Sequence, residues 1–108
     1  MNDKIREKLK TLTTKPGVYV MRDKDGNVIY VGKAKNLKNR VSQYFRSSPK
    51  PSKVQAMVDN IDSFDYFITI SEMDALALES NLIKKYQPFY NILLKDGKQF
   101  PYIKIDTK

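Results

Sequence analysis

Residues 16–32 read PGVYVMRDKDGNVIYVG, and this segment decides the fold. Two short apolar runs, GVYVM and VIYVG, flank the turn segment DKDGN. An Asp-Gly pair between two such runs is a strong signal for a β-hairpin. The sequence therefore predicts two antiparallel strands joined by a turn that is centred on Asp25-Gly26.

The two faces of this hairpin carry different side chains. The turn makes Tyr19 face Gly32 and Met21 face Tyr30, and because side chains alternate along a strand, these four residues share one face, the tyrosine face. The other face, the valine face, is predicted to be core; its members are Val18, Val20, Ile29 and Val31. Tyrosines in strands are commonly packing residues. Gly32, however, leaves room for a ligand to approach the backbone, so the tyrosine face is a candidate site.

Helices and further strands are predicted around the hairpin. Helices are expected over 2–12, from Asn36 to about Phe45, over 53–60 and over 72–86, and strands over 64–70 and 101–105. Asn36, Ser52 and Ser71 are the expected helix caps. This order of elements predicts an α/β fold with a small mixed or antiparallel sheet of about three strands flanked by helices. A single domain over residues 1–108 is expected, as an N-terminal fragment of a longer chain.

The composition favours a nucleic-acid partner. The chain has 108 residues, a net charge of +8 and no cysteine or histidine. No acidic residue occurs from Gly26 to Val58, so this region presents a basic field that suits a polyanion. A surface that is basic only for solubility is the alternative. Without histidine, hydrolysis has to rely on tyrosine, lysine or carboxylate, or on a metal held by oxygen ligands.

No membrane partner is expected. No apolar run approaches the roughly 20 residues of a membrane-spanning helix. The N-terminal sequence MNDKIREKLK lacks the apolar region of a signal peptide. The cytoplasm is therefore the expected location.

A cationic helix is predicted after the hairpin. Asn36, Arg40 and Tyr44 recur at a spacing of four residues and form one ridge. On this ridge, Arg40 could hold a phosphate through its bidentate guanidinium group, and a solvated ridge is the alternative. The cations expected to contact DNA are Lys33, Lys35, Lys38, Arg40 and Arg46.

Glu79 is the candidate metal ligand. On a helical wheel of residues 72–86 it falls near the middle of an apolar arc, which consists of Ala75, Leu76, Leu78, Leu82, Ile83 and Tyr86. A carboxylate on a buried stripe is costly unless it is paired or bound to a cation. An ion pair with lysine or arginine is one solution. The favoured solution is Mg²⁺, completed by waters and a substrate phosphate.

Together, these motifs resemble the GIY-YIG nuclease family, and within it the UvrC type. PGVYVM (16–21) and IYVGKAKNLKNRV (29–41) are similar to the paired signature of the family, with valine for isoleucine in each name-giving triplet. The similarity continues through ALALESNLIKKYQPFYN (75–91) and LLKDGKQFPYIKI (93–105), so it covers essentially the whole chain. It implies a GIY-YIG fold in which Gly17 and Gly32 have structural roles.

The resemblance also implies roles for individual site residues. Glu79 would be the single protein ligand of a catalytic Mg²⁺ or Mn²⁺ ion. Tyr30 would help to activate the attacking water, and Lys33 would lower the pKa of that phenol or contact phosphate. Arg40 would stabilise the charge that develops on the scissile phosphate. The residues implied to complete or support the pocket are Tyr19, Tyr44 and Asn91.

The implied function is a metal-dependent endonuclease domain that makes the 3′-side incision of the damaged strand in bacterial nucleotide excision repair. Damaged DNA and UvrB are the implied partners, since the family acts after UvrB has been loaded on the lesion. Two alternatives remain open. A non-catalytic binding module would use the tyrosines and cations only to hold a strand. Another GIY-YIG enzyme, such as a homing-type nuclease, would cleave without UvrB or a lesion.

Overall fold

The fold is a small antiparallel sheet flanked by helices, as predicted. The computed structural model describes residues 2–97, and side chains as far as residue 94. Its elements are α1 (Asp3–Leu9), β1 (Gly17–Arg22), β2 (Val28–Ala34), α2 (Leu37–Tyr44), α3 (Ser52–Asn60), β3 (Ser63–Ile68), α4 (Glu72–Tyr86) and α5 (Phe89–Gly97). β1 is the central strand of the three-stranded sheet, whose order is β2-β1-β3. Both strand pairs are antiparallel.

The last elements of the chain differ from the sequence prediction. The strand predicted over 101–105 lies outside the described residues. α5 was not predicted, because Pro88 was interpreted only as the end of the preceding helix. The Pro88 carbonyl also accepts hydrogen bonds from the N–H groups of Asn91 and Ile92, so the same proline begins the next helix.

The predicted hairpin register is confirmed as far as Met21, which pairs with Tyr30. Beyond that pair the register shifts by one residue, because Arg22 pairs with Val28 and leaves Ile29 as the extra residue of a β-bulge. Ile29 packs in the cluster that contains the tyrosine-face residues. Its predicted place on the valine face is therefore wrong.

The turn explains this shift. The Asp23 carboxylate accepts hydrogen bonds from the N–H groups of Asp25 (2.9 Å) and Asn27 (3.0 Å), and Gly26 adopts the left-handed conformation with φ 84°. The loop is thus a three-residue connection of residues 24–26, across which Asp23 pairs with Asn27. This pairing is one residue out of step with the Met21–Tyr30 register, and the bulge at Ile29 takes up the difference. The two-residue turn assumed from Asp-Gly alone has no such bulge.

The valine face packs against α4. Val18, Val20 and Val31 are buried together with Ala75, the most buried residue of α4. Three further α4 side chains pack against this cluster, namely Leu78, Leu82 and Ile83. Because the alanine side chain is small, the helix can lie close to the sheet at this contact. The β-branched side chains of the sheet then pack closely against α4.

The tyrosine face is buried as well, although the sequence predicted core only on the valine face. Its cluster takes Ile5 from α1, Leu37 and Val41 from α2, and Met57 from α3. Helices therefore cover both faces of the central strand, and the chain contains two small cores separated by the sheet.

The helix caps are confirmed at two of three positions. The Asn36 side chain accepts a hydrogen bond from Asn39 N–H (3.0 Å), and the Ser71 hydroxyl accepts one from Asp74 N–H (3.2 Å). The predicted cap at Ser52 is wrong. α3 already includes Ser52, and it follows Pro51 without a side-chain cap.

Gly17 allows β1 to approach β3 and α2 closely. A Cβ at this position would overlap the carbonyl oxygen of Phe67 and would lie 2.6 Å from the Cδ1 atom of Leu37. The first of these atoms belongs to the backbone of a paired strand, which cannot move aside. This contact gives the structural role of Gly17 a steric basis.

Gly17→Ala is expected to lower the free energy of unfolding by about 2–3 kcal/mol, because the added methyl group overpacks this contact. Gly26→Ala is the matched comparison: its Cβ meets no atom within 4 Å, and it costs only the left-handed strain of about 1 kcal/mol. Urea unfolding followed by circular dichroism measures both losses. A loss at Gly17 no larger than that at Gly26 would contradict the close packing.

Candidate active site

Three tyrosines meet on the tyrosine face. Tyr19 comes from β1, Tyr30 from β2 and Tyr44 from the end of α2. Their ring centroids lie 6.2 Å (Tyr19–Tyr30), 5.7 Å (Tyr19–Tyr44) and 6.4 Å (Tyr30–Tyr44) apart. The hydroxyl groups of Tyr19 and Tyr44 form a hydrogen bond of 2.8 Å. The structure therefore brings together the three tyrosines that the sequence singled out.

Gly32 gives room to a tyrosine. It pairs with Tyr19 across the strands, as predicted, and a Cβ on Gly32 would overlap the Cζ and hydroxyl oxygen of Tyr19. The space beside the glycine is thus filled by the Tyr19 phenol. Gly32 also lines the cavity that is formed beside the tyrosines, so the expectation that a ligand approaches the backbone there stays a prediction.

Burial raises the pKa of two of these tyrosines, Tyr19 and Tyr30. Tyr19 is 2% exposed, and its burial, followed by the proximity of Tyr44, raises its pKa well above the ordinary value. Burial also raises the pKa of Tyr30, and Tyr44 and the Glu79 carboxylate add to this effect. Arg40 opposes the rise in the pKa of both phenols, whereas the family resemblance had implied Lys33 in that role.

Glu79 approaches the tyrosines from α4. It is half-buried on the flank of a helix whose buried centre is Ala75, at 1% exposure. Leu76 and Tyr86 are 44% and 39% exposed, so the buried arc is narrower than predicted. On the wheel Glu79 still lies between Ala75 and Ile83, which both pack with the valine face. β2 is an edge strand, so a side chain from α4 can reach the tyrosine face around it.

The tyrosines and Glu79 line one cavity of about 660 Å³, the active-site cavity. Its volume lies in the range typical of ligand sites. The charged side chains in its lining are Lys33, Arg40, Lys53 and Glu79. Lys53 was missed as a site residue, because the sequence placed it in the basic segment but could not orient the short helix that carries it.

Asn91, on α5, holds the outer edge of β2. Its side-chain oxygen accepts a hydrogen bond from Val31 N–H (2.7 Å), and its side-chain nitrogen donates one to the Val31 carbonyl (2.8 Å). A neighbouring strand would satisfy the same two backbone groups. Asn91 thereby fixes the strand position between Tyr30 and Gly32.

Four of the five predicted DNA-contacting cations lie on one surface, called the basic groove: Lys33, Lys35, Arg40 and Arg46. Arg40 lines the active-site cavity and two adjoining cavities. One adjoining cavity is also lined by Lys33 and Lys35, and the other is also lined by Arg46. Lys38 is exposed but lines none of these three cavities.

Salt bridges in the described part of the chain lie away from this groove. The five ion pairs there involve cations of α1, of its C-cap Lys10 and of β1, as in Lys4–Asp62 (2.5 Å) and Arg22–Asp65 (3.1 Å). No ion pair between described residues includes a cation of the basic groove. Among the described residues, the fold therefore uses cations outside the basic groove for its ion pairs.

Residues 2–97 contain neither a membrane-spanning helix nor a cluster of metal-ligating side chains. No helix there has the length and apolarity to cross a bilayer. Nor does that part of the chain contain a group of three or more acidic, histidine or cysteine side chains placed to hold a metal ion. Glu79 is the carboxylate in the described lining of the active-site cavity.

Residues 15–92 match the UvrC-like GIY-YIG domain family. The chain belongs to this family. Two similar curated proteins are the UvrABC system protein C of Caldanaerobacter subterraneus, 58% identical over 102 residues, and that of Clostridium botulinum, 64% identical over 98 residues. The alignments cover 94% and 90% of this chain and 16% of each relative. The chain thus spans a small part of the length of these UvrC proteins.

The fold is also similar to a solved UvrC structure. This is the GIY-YIG N-terminal endonuclease domain of Thermotoga maritima UvrC, bound to its catalytic divalent cation, magnesium; the TM-score is 0.75 and the identity 42%, with 84% of this chain and 99% of that chain covered. Variants of that domain with phenylalanine for one of three tyrosines, or alanine for an asparagine, are also bound to the cation. The predicted family and fold are confirmed.

Stability is expected to fall as the pH rises above about 10, because burial raises the pKa of Tyr19 and Tyr30. In the unfolded chain the two phenols lose protons near their ordinary pKa of 10.0, while the folded protein retains them. The unfolded state then binds fewer protons, so the free energy of unfolding decreases by up to about 1.4 kcal/mol per pH unit for each phenol. Urea unfolding between about pH 9 and 11.5 measures this slope.

Tyr19→Phe removes one of these two groups and should give a shallower loss of stability over the same pH range. The comparison uses the slope of the free energy of unfolding against pH. The absolute stability is not compared, because the loss of the hydrogen bond to Tyr44 also changes it. Equal slopes in the variant and the parent protein would show that Tyr19 titrates as it does in water.

Proposed function

We propose that this chain is a divalent-metal-dependent endonuclease domain that makes the 3′-side incision of the damaged strand in bacterial nucleotide excision repair. One observation carries the proposal: Glu79, Tyr30 and Arg40, from three separate elements, line a single cavity. A carboxylate for a metal, a phenol and a guanidinium group are sufficient for phosphodiester hydrolysis without histidine. The similar Thermotoga endonuclease domain, which carries a catalytic divalent cation, supports this function.

Glu79 is the residue that would hold the cation. Mg²⁺ is commonly bound by one or two carboxylates, with waters and substrate phosphates as the other ligands. A half-buried carboxylate at a cavity of about 660 Å³ leaves space for both. Mn²⁺ suits the same oxygen donors. When bound, such a cation polarises a phosphoryl oxygen and lowers the pKa of a bound water.

The side chains around Glu79 would position the substrate and the attacking water. Arg40 would neutralise charge that develops on the scissile phosphate. A phenol is protonated at neutral pH even at its ordinary pKa of 10.0, and burial raises the pKa of Tyr30 further. Tyr30 would therefore hold the water by a hydrogen bond and would not act as a preformed phenolate. Tyr19 and Tyr44, which are bonded to each other, would keep the Tyr30 ring in place.

Damaged DNA is the proposed substrate. The basic groove offers a polyanion a path through Arg40, with Lys33 and Lys35 on one side and Arg46 on the other. Lys38, which is exposed beside this path, would contribute to the long-range field.

UvrB is the proposed protein partner, and the cytoplasm the proposed location. The names of the relatives, UvrABC system protein C, support a place in the same repair system. Residues 1–108 would then form one endonuclease domain of a longer protein. This is supported by the alignments, which cover only 16% of the length of each relative. Contacts with UvrB would depend on the longer protein.

A non-catalytic nucleic-acid-binding module is the competing function, since the basic groove alone would hold a strand. It requires no role for Glu79 and no cation. A GIY-YIG nuclease that acts without UvrB and lesions is disfavoured by the match to the UvrC-like family. The next experiments separate these possibilities.

Glu79→Gln is expected to lower 3′ incision by the full-length protein more than about 100-fold, because the carboxylate that would bind the cation becomes a neutral amide. Cleavage of a lesion-containing duplex in the presence of UvrB and Mg²⁺ measures the rate. Titration of Mn²⁺ into the isolated protein measures cation binding directly and should show weaker binding in the variant.

Asp74→Asn is the matched control, because Asp74 is an exposed carboxylate of the same helix. It should leave the incision rate and Mn²⁺ binding within about two-fold of the parent values. Unchanged incision by Glu79→Gln would rule out the proposed mechanism and favour the binding module.

Tyr30→Phe is expected to slow incision by about 100-fold while cation binding is kept, because the hydroxyl would act on the attacking water. The Thermotoga tyrosine variants that are bound to the cation support this separation. Single-turnover incision and Mn²⁺ titration measure the two effects, with the exposed Tyr86→Phe as the control. Loss of the cation in Tyr30→Phe would contradict the role assigned to this hydroxyl.

A further inference from the structure

Lys53 is a cation of the active-site cavity to which neither the sequence nor the family resemblance gave a role. It lies in the first turn of α3 and lines the cavity together with Tyr30, Arg40 and Glu79. The other two lysine and arginine residues of that lining, Lys33 and Arg40, come from β2 and α2. Lys53 therefore adds positive charge on the side of the cavity that α3 forms, whereas Lys33 and Arg40 lie on the sides formed by β2 and α2.

The anchoring of α3 determines where Lys53 points. Met57, one turn further along the helix, is completely buried in the core of the tyrosine face. Residues four apart share one side of a helix, and their side chains tilt towards its N-terminus. Lys53 is itself exposed, so it lies at the open, N-terminal end of this side of α3, where Pro51 and Ser52 also line the cavity.

The ammonium group of Lys53 is not committed to any described residue. No hydrogen bond or ion pair within the described part of the chain includes it, whereas the nearby Lys50 donates to the carbonyls of Arg46 (2.6 Å) and Ser48 (3.2 Å). Lys50 thus closes the loop between α2 and α3. Lys53, on the helix that follows, keeps its charge for the cavity.

We propose that Lys53 binds the phosphate next to the scissile one and so fixes the register of the DNA strand in the active-site cavity; this inference rests on the proposed endonuclease function. Val54, its neighbour, lines both the active-site cavity and the adjoining cavity that contains Arg46. The strand would therefore run from Glu79 past Lys53 towards Arg46. Lys53 is a positioning residue in this arrangement, because it holds a phosphate that does not react.

The test combines a protein variant with a change in the DNA. The full-length protein, as the parent and as Lys53→Ala, incises a lesion-containing duplex with UvrB under single-turnover conditions. Single methylphosphonate linkages, which lack the phosphate charge, are placed one at a time on either side of the cut. Lys53→Ala and the methylphosphonate at the contacted position should each slow incision about ten-fold. Together they should slow it no further, because both remove the same contact.

Two further variants complete the test. Lys53→Arg retains the charge and should recover the rate to within about three-fold, while Lys24→Ala removes an exposed charge of the hairpin turn and should leave the rate unchanged. The role of Lys53 is refuted if Lys53→Ala leaves the incision rate unchanged, as Lys24→Ala should. It is also refuted if, at every methylphosphonate position, the rate losses from Lys53→Ala and from the modified linkage multiply. Glu79→Gln in the same assay separates the two hypotheses, since retained incision there refutes the endonuclease function itself.

Discussion

The register of β1 against β2 is the constraint on which the rest of the site depends. A shift of one residue would turn every β2 side chain to the other face and move Tyr30 into contact with α4. The register instead places Tyr19 over Gly32, where only a residue without a side chain can lie. The bulge that the turn requires falls beyond Met21, so it leaves the tyrosines undisturbed. Turn geometry, a glycine and the packing of one phenol thus act together to set the position of Tyr30.

The features that follow from local periodicity could be predicted from the sequence. Alternation along two strands is enough to bring Tyr19, Tyr30 and Gly32 together. The four-residue spacing places Tyr44 on one ridge with Arg40, and only the family resemblance implies its place in the pocket. Ile29 could not be placed correctly, because the Asp23 carboxylate converts the turn to a longer type. The depth of Glu79 and the position of Lys53 depend on how α4 and α3 rest on the sheet. Such packing is decided by contacts between distant segments, which periodicity does not contain.

Charge is divided between two parts of the fold. The cations of α1 and β1 are paired with carboxylates, whereas the acid-free segment between Gly26 and Val58 supplies the basic groove. Placing like charges side by side costs stability in the free protein. A polyanion removes that cost when it binds and releases its counterions. The same segment therefore weakens the isolated domain slightly and favours the binding of a polyanion.

The Asn91 amide has a consequence for association between molecules. An exposed edge strand is a template for pairing with another chain, and a protein with an open sheet edge is exposed to aggregation. At Val31 the amide occupies both backbone groups of that edge, in the way a neighbouring strand would. β2 can therefore lie at the border of the sheet, beside an open cavity, without recruiting a second sheet at that point. One side chain thus blocks pairing with a further strand at Val31 and leaves the neighbouring cavity open.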